Sequence, residues 1–377
     1  MDLISIYSIN PHLWNKFRKG ILEYMGRNSD YYKEQKQLKL KKLKELEKGL
    51  PTYVITYLDE KELNSQISTV VSYAYDLHTF FRYLLESNPS CNNLQIKDIP
   101  LDFLEKLTFE DINEYQKYLS YTDSGEKHMN SERGIARRMA PLRGFFKFAS
   151  THGYMKSNPT LGAAKRKKTP KNDIIRMNAD EVDTMLNTVK NTNISSARQR
   201  KFCEKTQFRD TAIITLFLNT GIRVSECVGL DLDDVNFASK TLYIVRKGGK
   251  SSVLYFNDIV AQALRDYIEL ERTPLLGEHS DEKALFLSNR KQRICVKAAE
   301  NVVKKFAKES VIGKHITPHK LRSTYGTALY QKTGDIRLVA DVLGHEDINT
   351  TAKNYAAIEE SHRQTAAKVD IYGGNNA

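Results

Sequence analysis

The sequence is poor in cysteine and contains no long apolar run. Its 377 residues include four scattered cysteines and no CxxC pair. That distribution argues against a disulfide scaffold and a structural zinc site, and it fits a reducing cytoplasm. No apolar stretch reaches about 18 residues, so we expect no transmembrane helix. The N-terminus lacks a basic segment followed by a long apolar core, which argues against a secretory signal.

Positive charge is in excess. The chain has 58 Lys and Arg against 46 Asp and Glu, a net charge of +12, with 40% hydrophobic and 28% charged residues. This is the composition of a folded globular protein, and the length suggests two or three domains. A basic excess favours a polyanionic partner, most often nucleic acid, although an ordinary basic protein is the alternative.

Changes in composition divide the chain into five segments. They are a helical extension of unknown role, a small helical domain, a basic linker, a larger mixed domain and a tail, at residues 1–50, 51–160, 161–175, 176–355 and 356–377. We interpret the lysine-rich stretch 31–48 of the extension as a solvated helix, with a basic arm on DNA as the alternative.

A row of cations accompanies a predicted helix at about 131–151. Its apolar residues recur at helical spacing, and arginines lie between them. Such arginines can each reach a phosphate, and a basic linker would follow a phosphate backbone, so we predict DNA binding, with a solvated basic face as the alternative. The predicted DNA-binding residues are Arg133, Arg137, Arg138, Arg143, Lys165, Arg166, Lys167 and Lys168.

Helix boundaries in the larger domain place several chemically versatile side chains. A buried helix is predicted to end at Gly221, with Arg223 at the start of the next. Thr317 is a predicted N-cap with Pro318 at the first helical position, so His319 and Arg322, three positions apart, share one face. A further helix is predicted to close at Gly344, directly before His345.

A β-hairpin is the one clear β element. Runs rich in β-branched and aromatic residues at 241–245 and 252–256 flank a tip with two glycines. The tip offers two lysines, Lys247 and Lys250, and Arg246 precedes the first.

In chain order these segments resemble the tyrosine recombinase, or phage integrase, family, including its Xer and conjugative-transposon branches. The matching stretches are LRGFFKFASTHGYMKSNP at 142–159, TGIRVSECVGLDLDDV at 220–235, VRKGGK at 245–250 and HKLRSTYGTALYQKTGDIRLVADVLGHEDINTTAKNYA at 319–356. The resemblance covers about residues 55–360.

The resemblance implies a mainly α fold with a small β-sheet or hairpin. A helical core-binding, SAM-like domain and a mixed α/β catalytic domain would form a C-shaped clamp on DNA. It implies a site-specific recombinase that cleaves and rejoins DNA through a 3′-phosphotyrosine and a 5′-hydroxyl, without metal, cofactor or ATP. A type IB topoisomerase, a catalytically silent DNA-binding regulator and a basic RNA-binding protein are the alternatives.

The implied catalytic residues divide the chemistry among them. A tyrosine hydroxyl must lose its proton as it attacks, two arginines can grip the phosphate oxygens, and the leaving oxygen needs a proton. The expected set is Tyr355 as nucleophile, Arg223 and Arg322 on the phosphate, His319 as proton acceptor, His345 as phosphate donor, Lys247 as general acid and Glu226 as support for a cation. Lys247 is preferred over Lys250 because it holds the first lysine position of the family's turn.

A metal site built from His315, His319, His345 and Cys295 is the poorer alternative, since their spacing matches no compact ligand motif. The resemblance further implies double-stranded DNA as partner, a dimer on each site and a tetramer in the synapse. An accessory DNA-bending or directionality protein, no membrane association and a cytoplasmic location are also expected.

Overall fold

The computed structural model divides the chain into two compact units, residues 1–172 and 173–377. It describes residues 30–88, 93–121, 130–165, 175–192, 196–246, 248–277, 281–345 and 348. Within these ranges no helix combines the length and the apolar character needed to cross a bilayer.

Among its described residues the first unit contains helices and no strand. Its helices are α1 (Asp30–Glu47), α2 (Thr52–Asn64), α3 (Ile67–Ser87), α4 (Leu101–Glu105), α5 (Phe109–Tyr121) and α6 (Glu132–Thr151). The helix predicted at 131–151 is confirmed, and the Ser131 hydroxyl caps it by accepting a hydrogen bond from the Gly134 N–H. One apolar core, rich in aromatic rings such as Phe80, Tyr115 and Phe145, joins these helices.

Helix α1 belongs to this core. Leu43 is fully buried, and Leu46 and Leu50 pack in the same cluster, because α1 lies against α3. Most of the stretch, including its lysines, is exposed, as a solvated helix predicts, and only Leu43 and Glu47 are buried. Leu43, Leu46 and Leu50 recur at i, i+3 and i+7, the spacing of one helix face, a pattern that the sequence analysis did not use.

The second unit is mostly helical and carries one small sheet. Its helices are α7 (Ala179–Lys190), α8 (Ala197–Glu204), α9 (Gln207–Thr220), α10 (Val224–Gly229), α11 (Asp258–Tyr267), α12 (Thr273–Leu276), α13 (Val296–Ser310), α14 (Pro318–Thr333) and α15 (Ile336–Leu343). Its strands are β1 (Val235–Asn236), β2 (Thr241–Val245) and β3 (Ser251–Tyr255).

Helix α9 is the centre of this unit. It packs against α7, α11 and α14, and nearly all of its side chains are buried. It ends, as predicted, at Gly221, which adopts a left-handed conformation with φ of 62°. This end of the core helix is where the candidate catalytic residues gather.

The predicted hairpin is confirmed, with Thr241 opposite Tyr255 and Val245 opposite Ser251. Strand β3 begins one residue earlier than predicted because Ser251 pairs across the tip. Strand β1 extends the antiparallel sheet on the other side of β2. Its two residues are too few to show an alternating pattern, so the sequence analysis missed it.

Candidate active site

The C-terminal end of α15 organises the candidate site. An α-helix leaves its last four carbonyls without partners inside the helix. Here the Gly344 N–H donates to the Asp341 carbonyl at 2.8 Å and the His345 N–H to the Ala340 carbonyl at 2.9 Å. Gly344, with φ of 59°, permits this turn. The carbonyls of Val342 and Leu343 still require donors.

Three arginines donate to three consecutive carbonyls at this helix end. Arg246 Nη2 donates to Val342 at 3.1 Å, Arg322 Nη2 donates to Leu343, and Arg223 Nη2 donates to Gly344 at 3.1 Å. Cations are favoured at a helix C-terminus because its carbonyls carry partial negative charge. The helix end thus gathers three guanidinium groups that would otherwise repel one another.

Arg322 is the most deeply placed of the three. It lies in the second turn of α14 and is 4% exposed. Its Nη1 donates to the Gly221 carbonyl at the end of α9, while Nη2 holds Leu343. The two bonds fix the plane of the guanidinium between two helix ends.

Arg223 and Glu226 form an ion pair at the start of α10 in which only the carboxylate is buried. The Arg223 N–H donates to Glu226 Oε2 at 2.9 Å, and Arg223 Nη1 donates to Oε1 at 2.8 Å. The Glu226 side chain is 3% exposed and that of Arg223 32%. The carboxylate therefore orients the guanidinium while the latter keeps an open side.

The two histidines lie among these positive charges. Partial burial lowers the pKa of His319, with further lowering by Arg322 and Arg223. Burial lowers the pKa of His345 to about 4, and the charges of Arg322 and Arg223 add to this effect. Both imidazoles are therefore neutral at pH 7, able to accept one proton and to donate one N–H.

The described residues contain no group of three or more His, Cys, Asp or Glu side chains arranged to hold a metal ion. Cys295 is exposed and its thiol is free, as are the buried thiols of Cys203 and Cys227.

Five residues predicted to act in catalysis or DNA binding lie outside the described ranges: Arg166, Lys167, Lys168, Lys247 and Tyr355. The structure brings together Arg223, Glu226, His319, Arg322 and His345. It adds Arg246, which the sequence analysis had noted only as the neighbour of Lys247.

The cationic row on α6 divides into different environments. Arg133 is exposed, whereas Arg138 and Arg143 are partly buried. Arg137 donates to both carboxylate oxygens of Asp76, at 3.0 and 3.2 Å, and to Ser72 Oγ at 3.0 Å. Lys165, at the beginning of the linker, is exposed.

Comparison with known proteins identifies the family of the chain. The phage integrase family model matches residues 176–362, and the phage integrase SAM-like domain model matches residues 50–167. A tyrosine recombinase XerC from Caldanaerobacter subterraneus subsp. tengcongensis is 33% identical over 308 residues, covering 79% of this chain and 80% of that protein.

Solved structures show the same fold. The XerH recombinase bound to palindromic difH substrate, in a post-cleavage complex, has a TM-score of 0.59 at 18% identity and covers 82% of each chain. The Tn1549 transposon integrase in complex with circular intermediate DNA has a TM-score of 0.57 at 18% identity and covers 85% of this chain and 100% of that one. The chain belongs to the phage integrase family of tyrosine recombinases, which cleave and rejoin DNA strands in site-specific recombination.

Proposed function

We propose that Tyr355 cleaves one DNA strand and forms a 3′-phosphotyrosine, and that Arg223 and Arg322, which are clustered at the end of α15, bind the phosphate during this step. The cluster carries the proposal, because Arg223 and Arg322 are fixed side by side through consecutive carbonyls. Such fixed donors need no reorganisation when negative charge develops on the phosphate.

The proposed step exchanges one ester for another. The Tyr355 oxygen forms a bond to phosphorus, and the bond from phosphorus to the 5′ oxygen breaks. The tyrosine proton passes to His319, and Lys247 gives a proton to the 5′ oxygen. Attack by a 5′-hydroxyl of a second duplex reverses these changes and reseals the strand. Since the phosphotyrosine conserves the ester bond, the reaction needs neither ATP nor a cofactor.

The lowered pKa of His319 supports its role as proton acceptor, because an imidazole that is neutral at pH 7 has a nitrogen ready for a proton. His345, with a pKa of about 4, would donate a neutral N–H to the phosphate. The permanently charged arginines would neutralise the phosphate oxygens, so no metal ion is required. Glu226 would keep Arg223 in position.

The helical domain at 51–160 and the basic linker at 161–175 would hold the duplex. The exposed Arg133 and Lys165 support this assignment, together with Arg138 and Arg143 on the same helix as Arg133. Arg137 would act indirectly, through its bond to Asp76. The relatives bound to difH and to circular intermediate DNA support duplex DNA as the ligand.

Recombination between two duplexes requires four strand cuts, so a tetramer on two sites, with a dimer on each, is the proposed active assembly. We assign it to the cytoplasm, where the genome is accessible, with an accessory DNA-bending protein as a further partner.

The test is strand exchange. Covalent adducts formed on DNA from the chain's own genomic neighbourhood would be sequenced to map the cleavage site, and two labelled duplexes carrying that site would then be mixed with the protein. We expect joined products with one label from each duplex. Relaxation of supercoiled DNA without exchanged products would instead indicate a topoisomerase.

A further inference from the structure

Arg246 lies beside the proposed catalytic cluster and has no role in the chemistry described above. It is the last residue before the hairpin tip, where its N–H donates to the Lys250 carbonyl at 2.8 Å and its carbonyl accepts from the Gly249 N–H at 3.1 Å. Its backbone thus closes the tip, while its side chain leaves the sheet and reaches the end of α15.

The contact with α15 is close and specific. Arg246 Nη2 donates to the Val342 carbonyl at 3.1 Å. The guanidinium also lies close to Gly344, since a Cβ at that position would be 1.5 Å from Arg246 Nη1 and 2.3 Å from Cζ. Any side chain at 344 would displace the Arg246 guanidinium from its present position, so the turn before His345 and the side chain of Arg246 are packed together.

The Arg246 side chain is held at the end of α15 although its burial is energetically unfavourable. Burial lowers the pKa of Arg246, and Arg223 opposes its charge, while Glu226 and Asp341 favour it. Its Nη1 is buried without a hydrogen-bond partner among the described residues. A buried charged donor without a hydrogen-bond partner lowers the stability of the fold. An arginine that served stability alone would not need an unpaired Nη1 at this place.

We propose that Arg246 is a positioning residue for DNA cleavage, which fixes the hairpin tip to the end of α15 and thereby sets the place of the residue bonded to it, Lys247. The proposal rests on the proposed function of Lys247 as the acid that protonates the 5′ oxygen. The contact with Val342 thus places Arg246, the residue before Lys247, against the helix end that also holds Arg223 and Arg322.

A substrate with a better leaving group separates this role from a structural one. The substrate is a duplex with sulfur in place of the bridging 5′ oxygen at the mapped site. Its cleaved strand leaves as a 5′ thiolate, which needs no proton from an acid. Variants that impair only protonation should therefore recover on the sulfur substrate. Variants that impair phosphate binding should remain slow on both substrates.

The experiment measures single-turnover adduct formation on both duplexes. Arg246→Ala and Lys247→Ala should be slowed by roughly tenfold or more on the oxygen substrate and should come within about threefold of wild type on the sulfur substrate. Arg223→Ala should be slow on both. Arg265→Ala, which removes an exposed arginine stacked on Phe237, is the charge-matched control and should be unaffected.

If Arg246→Ala unfolds at a lower temperature than wild type, Arg246→Met replaces it in the assay, because methionine keeps most of the aliphatic stem. Arg246→Lys should recover part of the rate, because it keeps the charge but loses the flat guanidinium.

Normal cleavage by the Met variant, or an equal defect on both substrates, would overturn the proposal. If wild type itself forms no adduct, the proposed function fails and the positioning role fails with it. An active wild type with an equally active Arg246→Met overturns the positioning role alone.

Discussion

Arg322 and Arg223 donate hydrogen bonds to neighbouring carbonyls, those of Leu343 and Gly344, although the two arginines come from different helices. Both guanidinium groups are therefore held by one helix end, directly before His345. The partial negative charge of that end stabilises the two adjacent cations. Both arginines are thus fixed at the place of the proposed phosphate site.

Replacement of either arginine should impair chemistry and should also lower stability, because Arg223→Ala leaves the buried Glu226 carboxylate without its side-chain partner. Arg322→Ala and Arg223→Ala should each slow adduct formation by about 10²–10³-fold, because a charged contact to the transition state is lost. Arg322→Ala should also lower the free energy of unfolding by about 2–4 kcal/mol, since two carbonyls lose a buried charged donor. Single-turnover cleavage and chemical denaturation measure the two effects. Arg322→Ala with wild-type stability would contradict the geometry.

Gly221 should tolerate no side chain. Its φ is 62°, and an added Cβ would lie 2.6 Å from Tyr325 Cδ1 and 2.7 Å from Leu343 Cδ2. Gly221→Ala should therefore reduce the free energy of unfolding by about 2–4 kcal/mol, combining backbone strain with overpacking. Gly313→Ala is the matched control, because Gly313 has a similar φ of 74° and open space around it. Gly313→Ala should lower the free energy of unfolding by about 1 kcal/mol. Equal losses for the two variants would show that the added methyl group is not overpacked at 221.

The pKa of His345 predicts a pH-dependent stability. It lies at about 4 in the folded chain, against 6.5 for an ordinary histidine, because of burial and the charges of Arg322, Arg223, His319 and Arg246. Between these pH values the unfolded chain binds more protons, so stability falls as the pH falls from 6.5 to 4. His345→Gln should lose less stability than wild type over that interval, while the two should respond equally above pH 7.5. Denaturation curves that stay parallel down to pH 4.5 would contradict the lowered pKa.

Two neighbouring arginines of α6 should behave differently. Arg133 is exposed, so Arg133→Ala should weaken DNA binding and reduce the slope of log affinity against log salt by about 1, with unchanged stability. Arg137→Ala should instead destabilise the first unit by about 1–3 kcal/mol, because it leaves the buried Asp76 carboxylate without its partner. Salt titrations of binding and thermal unfolding separate the two. The same salt slope for Arg133→Ala and wild type would remove Arg133 from the DNA-binding surface.

The sequence predicts those features of the site that depend on local signals. Gly221 and Gly344 predict two helix ends, and Thr317 followed by Pro318 predicts a helix start. These three helix boundaries are present in the structure. The family resemblance then identifies which side chains near these boundaries to consider together. Neither source reveals that Arg223 is bound by Glu226 through both its backbone and its side chain.

The contacts that the sequence analysis missed join residues far apart in the chain. Arg246 and Val342 are 96 residues apart in the chain, with strand β3 and helices α11 to α14 between them, and no periodicity links an arginine at a hairpin tip to a helix end. The same holds for Arg137 and Asp76, which lie on different helices of the first unit. Spacing places a side chain on a face of its own element, whereas its partner is fixed by the packing of elements.

The most direct test of the account is covalent attachment. Purified protein would be incubated in EDTA with DNA from its own genomic neighbourhood, with nicked substrates to trap the intermediate, beside Tyr355→Phe. The account predicts an SDS-resistant protein–DNA adduct with wild type and none with Tyr355→Phe, whose DNA affinity stays within about threefold because the lost hydroxyl carries no charge. An adduct that survives in Tyr355→Phe, or that requires a divalent metal ion, would contradict it.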